Sequence, residues 1–91
     1  MLTKEKKEKI INSFDIIIGS IVNILSDNTF KMRVNRIGSH NIFSYHDYET
    51  IRLLHNKVKF THDLIGKNVK CKIYFRNEYN ILIADIESLI L

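Results

Sequence analysis

The residues in this chain best suited to binding chemistry are lysines and arginines that alternate with apolar residues. In residues 30–35, Lys31 and Arg33 alternate with three apolar side chains. Alternate residues of a β-strand face opposite sides, so we expect both cations on one outer surface. Tyr45 is expected on the neighbouring strand, where its ring could stack on a base while the cations meet phosphates.

A second alternating segment, residues 69–76, carries another basic row on its even-numbered positions. With the cations of the intervening segments, the residues expected to contact nucleic acid are Lys31, Arg33, Arg36, Tyr45, Arg52, Lys57, Lys59, Lys70, Lys72, Tyr74 and Arg76. The outward face of any barrel must be polar, so each row is equally compatible with an ordinary solvated surface. Tyr45 and Tyr74 are likewise compatible with a role in covering the edge of the core.

The sequence shows no pattern typical of catalysis or metal binding. The four histidines are His40, His46, His55 and His62. No two of them have the spacing of metal ligands on a helix. His46 and Asp47 are adjacent and would point apart at a strand end. Cys71 lies in the apolar alternation of its strand and should be buried and unreactive. We therefore expect no enzymatic activity, no metal and no cofactor.

Composition is that of a small folded domain. The 91 residues are 45% hydrophobic and 26% charged, enough for one core. Fourteen Lys and Arg against ten Asp and Glu give a net charge of +4, which permits a polyanionic partner without requiring one. A single cysteine argues against a disulfide-built secreted scaffold. The N-terminal residues do not resemble a signal peptide, and no apolar run is long enough to span a membrane. We expect a cytoplasmic protein, or one of an organellar matrix or stroma.

The elements that must position these residues begin with a hairpin. Predicted strands at residues 19–25 and 30–34 are joined by a polar turn at residues 26–28. A third strand is predicted at residues 40–45. Residues 47–55 then predict a helix, because Asp47 is a good N-cap and Tyr48, Ile51 and Leu54 share a helical face.

The remaining elements are mostly strands. They are a short strand or extended connection at residues 57–60, the strand at 69–76, a strand at 81–86, and a helical turn at 87–91. A short helix over residues 4–14 is expected before the first strand, within an N-terminal extension of mixed charge, residues 1–14. The predicted fold is all-β: residues 15–91 form a five-stranded barrel of the oligonucleotide/oligosaccharide-binding (OB) type, with a helix between strands 3 and 4. A small SH3-like barrel is the alternative.

Two short patterns carry a family resemblance. The first comprises Gly19, Ile21, Leu25, Asn28, Phe30, Lys31 and Met32, and the second comprises Gly66, Lys67, Asn68 and Val69. The chain resembles, from Ile16 to about Ile86, bacterial and organellar translation initiation factor one, in which a Gly-x-Val strand, a Leu, a polar turn and Phe-Arg-Val recur at these intervals. It departs from that family at residues 47–55, where the family has Gly-Lys-Met-Arg, and at Lys67, where the family has Asp.

The resemblance implies an OB fold and an RNA partner on the small ribosomal subunit. From the residues themselves, two classes of function remain open. The first is binding of RNA or single-stranded DNA through the basic outer face. The second is a protein-interaction or self-association role, in which the apolar run at residues 81–91 packs on a partner or on a second copy of the chain.

Overall fold

The computed structural model describes residues 14–55 and 60–90 of the chain. Strand β1, Asp15–Ser26, and strand β2, Thr29–Ile37, form the hairpin that the sequence predicts, with the turn at Asp27 and Asn28. The later strands are β3, Tyr48–Leu53, β4, Asn68–Arg76, and β5, Leu82–Ile90. A single turn of 3-10 helix, His62–Leu64, precedes β4.

The five strands close into a barrel in the order β1-β2-β3-β5-β4. All neighbouring pairs are antiparallel except β3 and β5, which are parallel. Strand β1 is long enough to pair with β2 along its length and with β4 through residues 15–20. Closure leaves few strand edges unpaired, and the strand order and connections fit the OB fold.

The core is the inward face of the alternating strands. Phe30 and Met32 of β2 are fully buried, and so are Val69 and Cys71 of β4, as the alternation predicts. The other core side chains are Ile17, Ile21, Ile51, Leu53, Ile73, Leu82 and Ala84. This packing fixes which residues of each strand remain outside, because a slip of one residue would turn every side chain to the other face.

Gly19 lies at a register shift between β1 and β2, where the backbones approach closely. A Cβ at this position would collide with the Arg33 carbonyl group and lie 2.9 Å from Cγ of Met32. The residue is therefore required by the close approach of the two strands.

Two predicted elements in the middle of the chain are wrong. Residues 40–45 do not form a strand, and residues 47–55 do not form a helix: β3 occupies the place of that helix. The alternation that decides the outcome is Glu49, Ile51 and Leu53, all buried on the inner face of β3. Within residues 14–55 and 60–90 there is no α-helix.

Three further expectations have different outcomes. The predicted helical turn at residues 87–91 is wrong, because β5 continues as a strand to Ile90. In β4, a register shift between Ile73 and Phe75 ends the buried alternation of Val69, Cys71 and Ile73 and leaves Phe75 exposed. The predicted N-terminal helix and most of the predicted segment at residues 57–60 lie outside the described residues. Phe60, which is described, packs its ring 5.2 Å from that of Phe30.

The described residues include no helix with the length and hydropathy needed to cross a bilayer.

Candidate nucleic-acid interface

The outer face of β2 and β3 carries three cations and one exposed aromatic ring. Pairing of the strands sets Lys31 opposite Thr50, Arg33 opposite Tyr48, and Arg52 opposite Thr29. The residues that alternate with them along each strand face the core, so the cations point outward. We call the surface formed by Lys31, Arg33, Tyr48, Thr50 and Arg52 the β2–β3 face.

Tyr48 supplies the aromatic ring that the sequence analysis assigned to Tyr45. Its side chain is 52% exposed, and Nζ of Lys31 lies 5.9 Å from the centre of its ring. Tyr48 is absent from the predicted binding residues because the helix predicted at residues 47–55 places it on the apolar face of that helix. Alternation of Tyr48, Thr50 and Arg52 against the buried residues of β3 is the signal that could have identified it.

The charges of the β2–β3 face are not neutralised by described carboxylates. The ion pairs between described residues join Arg76 to Glu49, Lys70 to Glu87, and His55 to Asp85. Lys31, Arg33 and Arg52 are exposed and form no ion pair with a described residue. The face therefore presents positive charge to solvent, where it can meet an external anion.

Two loops flank the β2–β3 face at its opposite ends. The β1–β2 turn lies next to the end of β3, since the Leu53 amide donates to the carbonyl oxygen of Asn28 at 2.8 Å. The β4–β5 loop lies near the start of β3, because the parallel register sets Leu82 opposite Ile51. Tyr79 in that loop is 75% exposed.

The side chain of Asn77 gives the β4–β5 loop its shape. Its Oδ1 accepts hydrogen bonds from the amides of Tyr79 and Ile81, at 2.9 and 3.0 Å. Asn80 takes a positive φ of 63°, a conformation that asparagine tolerates better than most residues. Tyr79 therefore projects from a loop that is held by local hydrogen bonds, although sequence analysis did not single it out.

Tyr45 and Arg76 lie away from this face and are engaged by buried carboxylates. The Tyr45 hydroxyl donates to Oδ2 of Asp15 at 2.7 Å, and burial together with this bond raises the pKa of Tyr45. Arg76 donates to both carboxylate oxygens of Glu49 at 2.8 Å and to the Ser44 carbonyl at 3.0 Å. Both residues hold the β2–β3 connection, residues 38–47, against the end of the barrel.

The second basic row faces a different side of the barrel, where β4 lies between β1 and β5. Lys70 forms an ion pair with Glu87 at 3.5 Å, and Nζ of Lys72 lies 4.8 Å from the centre of the Phe14 ring. The Tyr74 hydroxyl donates to Oδ2 of Asp85 at 2.6 Å, and this hydrogen bond is the main reason that the pKa of Tyr74 is raised to about 12. These side chains are thus engaged with their neighbours on the barrel.

The remaining candidate residues, Arg36, Lys57 and Lys59, belong neither to the β2–β3 face nor to the basic row of β4. Arg36 is exposed on β2 opposite Ile18, on the side of the barrel that carries the second row. Lys57 and Lys59 lie outside the described residues. The eleven sequence candidates therefore reduce to Lys31, Arg33 and Arg52 on the β2–β3 face, joined by Tyr48.

A histidine and a carboxylate form the nearest approach to a catalytic pair. Nδ1 of His55 lies 2.7 Å from Oδ2 of Asp85, and the His55 amide donates to Oδ1 of the same residue at 2.7 Å. The hydroxyl beside them belongs to Tyr74, which donates to Asp85 and lies 3.5 Å from Nδ1 of His55. Cys71 is inside the barrel, where burial raises the pKa of its thiol to about 12, with added effects of Asp85 and Glu87. Among the residues described, no three His, Cys, Asp or Glu side chains form a group that could hold a metal ion.

Comparison with known proteins gave no match among family models, curated proteins or solved structures. Inference of function therefore depends on the geometry of the described surfaces.

Proposed function

We propose that this protein binds single-stranded nucleic acid, and RNA in particular, through the β2–β3 face. The observation that carries the proposal is the row of Lys31, Arg33 and Arg52 on one face with the exposed ring of Tyr48 at one end, and with no described carboxylate paired to the cations. The cations would contact phosphates and the ring would stack on a base, which is the usual combination at sites for single strands.

The position of the face within the barrel supports this function. Strands 2 and 3 of an OB barrel, with the β1–β2 and β4–β5 loops, form the surface on which such barrels bind oligonucleotides. Here the cations occupy that surface, and Tyr79 stands in the flanking loop. From Arg33 to Arg52 the face spans about 13 Å along the strands, the length of a few nucleotides.

A more specific form of the proposal is binding to RNA of the small ribosomal subunit. The resemblance of residues 19–32 to translation initiation factor one supports it. The fold supports it as well, since the glycine and the polar turn of that pattern lie at the close approach and the turn of the β1–β2 hairpin. Single-stranded DNA remains the alternative ligand for the same face.

The second class of function, partner binding through residues 81–91, has less surface available than the sequence suggests. Leu82, Ile83 and Ala84 are buried in the barrel, and β5 pairs with β4 as far as Ile90. Only the end of the strand, Leu89 and Ile90, keeps an exposed apolar surface among the described residues of this run.

Binding of a fluorescently labelled single-stranded RNA of mixed sequence, measured by anisotropy at several salt concentrations, tests the proposal. Each phosphate contact with a single strand contributes about −0.7 to the slope of log K against log salt, so three cations predict a slope of about −2. The variant Lys31→Ala with Arg33→Ala should reduce the magnitude of that slope by about 1.4.

The matched control also removes two cations, but from another part of the surface: Lys67→Ala with Lys70→Ala. It should bind RNA nearly as the unmodified protein does. Tyr48→Ala should weaken binding by about 1–3 kcal/mol, and Tyr48→Phe should not, because phenylalanine keeps the stacking surface. Equal losses in the two double variants would show that only net charge matters, and the β2–β3 face would then not be the site.

A further inference from the structure

A second surface, at the N-terminal end of β1 and so at the opposite end from the β1–β2 turn, combines apolar side chains with cations. Phe14, Ile16 and Ile18 follow one another at every second position on the outer side of the chain. Phe14 is exposed, while Ile16 and Ile18 are half-buried, although outward positions of a barrel are usually polar. We call these three residues the β1 stripe.

Cations lie on both sides of the β1 stripe. On the β4 side, Lys72 is opposite Ile16 and Lys70 is opposite Ile18. On the β2 side, Arg36 is opposite Ile18. Lys70 is paired with Glu87, whereas Arg36 and Lys72 form no ion pair with a described residue. Arg36 is therefore the available positive charge beside the stripe, whereas Nζ of Lys72 on the β4 side already lies 4.8 Å from the centre of the Phe14 ring.

The loop after β2 extends the apolar surface beyond the stripe. Ile37 is 60% exposed and Ile42 is 72% exposed. The end of β2 and the start of the loop form a concavity that is lined by Ile16, Ile18, Arg36, Ile37 and Lys70.

Buried polar contacts hold this loop in place. Oδ1 and Oδ2 of Asp15 accept the amides of Ile42 and Phe43, both at 2.9 Å. The side chain of Asn41 bonds both the amide and the carbonyl oxygen of Ile16, at 2.9 and 2.8 Å. The concavity is thus formed in advance of binding, which lowers the entropic cost of occupying it.

We propose that the β1 stripe and the concavity beside it dock an acidic, amphipathic segment of a partner protein. Apolar side chains of the segment would cover Ile16, Ile18 and Ile37, and its carboxylates would meet Arg36. Charge complementarity of this kind selects the partner and speeds its association. The proposal concerns a surface separate from the β2–β3 face and does not depend on RNA binding.

The chemistry of this surface favours a peptide over a nucleic acid. The side chains of Ile16, Ile18 and Ile37 that line the concavity are aliphatic, and the exposed ring of Phe14 already packs edge to face with Tyr74 at 5.0 Å and has Nζ of Lys72 4.8 Å from its centre. The carboxylates of Asp85 and Glu87 lie on β5 beyond the lysines of β4, opposite Lys72 and next to Lys70. They would repel the evenly spaced charges of a phosphodiester chain, whereas a peptide can place its few carboxylates toward Arg36.

Selection from a display library of random peptides about twelve residues long tests the proposal, because the stripe spans about 13 Å, which a helix of about nine residues covers. Peptides enriched on the immobilised protein should combine Asp or Glu with large apolar residues. One such peptide, added to isotope-labelled protein, should shift the amide resonances of Ile16, Ile18 and Ile37 and leave those of β3 unchanged. No enrichment, enrichment of basic peptides, or shifts confined to β3 would overturn the proposal.

Charge reversal at Arg36 gives the sharper measurement, because this side chain is exposed and its replacement should not disturb the core. Arg36→Glu should weaken binding of the selected acidic peptide about tenfold or more, and Lys67→Glu should change it less than twofold or so. Ile18→Ser should weaken binding as well, with thermal unfolding recorded to show that the variant is folded.

Equal binding by the Arg36→Glu and Lys67→Glu variants would overturn the proposal. So would a dimer of the protein alone that Ile18→Ser dissociates in sedimentation equilibrium, since the occupant would then be a second copy of the chain. An RNA affinity that falls about tenfold in Arg36→Glu would assign the surface to nucleic acid instead.

Discussion

Arg76 and Glu49 form a two-point ion pair at one end of the barrel, with Nη1 and Nη2 of the arginine each 2.8 Å from a different carboxylate oxygen. Glu49 is only 3% exposed, on the inner face of β3. The His46 amide also donates to this carboxylate at 2.8 Å, so the buried charge is fully surrounded by donors. The pair joins β3 to the end of β4 and makes a buried acid compatible with a strand of the barrel.

Removing the arginine should therefore be costly. Arg76→Ala leaves Glu49 buried without its counter-ion, and we expect a loss of about 3 kcal/mol in the free energy of unfolding, measured by urea denaturation. The matched control is Arg52→Ala, an exposed arginine of β3, which should change the same quantity by less than about 0.5 kcal/mol. Replacing both partners with Met should recover much of the loss, because an apolar pair leaves no buried charge. A double variant no more stable than Arg76→Ala would contradict this account.

Stability should fall in acid, and Glu49 should account for part of the fall. Burial raises the pKa of the Glu49 carboxyl, but the hydrogen bonds from Arg76 and from the His46 amide outweigh it and hold the pKa below its usual value. A carboxyl with a lowered pKa in the folded state stabilises the protein above its unfolded-state pKa, and this contribution is lost as the pH falls through the folded-state pKa. Unfolding free energies measured from pH 7 downward should show a shallower decline for Glu49→Gln. A parallel decline in both proteins would assign the effect to other acids.

The Asp15 carboxylate should control the order of the β2–β3 connection. It is 3% exposed and accepts hydrogen bonds from Ile42, Phe43 and the Tyr45 hydroxyl. Asp15→Ala should cost about 2–3 kcal/mol, and Tyr45→Phe, which removes one of these bonds, should cost about 1 kcal/mol. Hydrogen exchange should locate the effect: the amides of Ile42 and Phe43 should lose protection in Asp15→Ala under conditions in which β4 keeps it. Unchanged exchange at these amides would show that the carboxylate does not hold the loop.

Two glycines should respond differently to alanine. Gly19→Ala places a methyl group against the Arg33 carbonyl, and because backbone cannot move aside cheaply we expect a loss of at least about 3 kcal/mol. Gly66 has a positive φ of 89° with open space around it, so Gly66→Ala should cost only about 1–2 kcal/mol, for the backbone conformation alone. Urea denaturation of the two variants compares them directly, and a reversed order would show that the close approach of β1 and β2 can relax.

The elements that sequence analysis located correctly are those whose signal is local. In β2 and β4, Phe30, Met32, Val69, Cys71 and Ile73 are buried and alternate with residues that face outward, so the period of two is visible within one segment. The β1–β2 turn at Asp27 and Asn28 is likewise determined by its own residues.

Elements that sequence analysis misplaced depend on partners far along the chain. A glutamate on the inner face of β3 breaks the apolar alternation, and only Arg76, 27 positions away, explains it. Residues 40–45 have strand-like composition, yet Asp15 binds the amides of Ile42 and Phe43 in place of a neighbouring strand. The prediction of a helix at β3 and of a strand at residues 40–45 places Tyr45 where the structure has Tyr48, on the β2–β3 face.

The seam that closes the barrel joins residues 15–20 of β1 to residues 68–73 of β4. Translation delivers β1 and β2 long before β4, so a nascent chain can form its hairpin early but must keep one side of β1 unpaired until β4 has left the ribosome. Exposed strand edges of this kind invite pairing between molecules. Truncated products that end before residue 68 should consequently aggregate during synthesis, whereas the chain that includes both β4 and β5 should not.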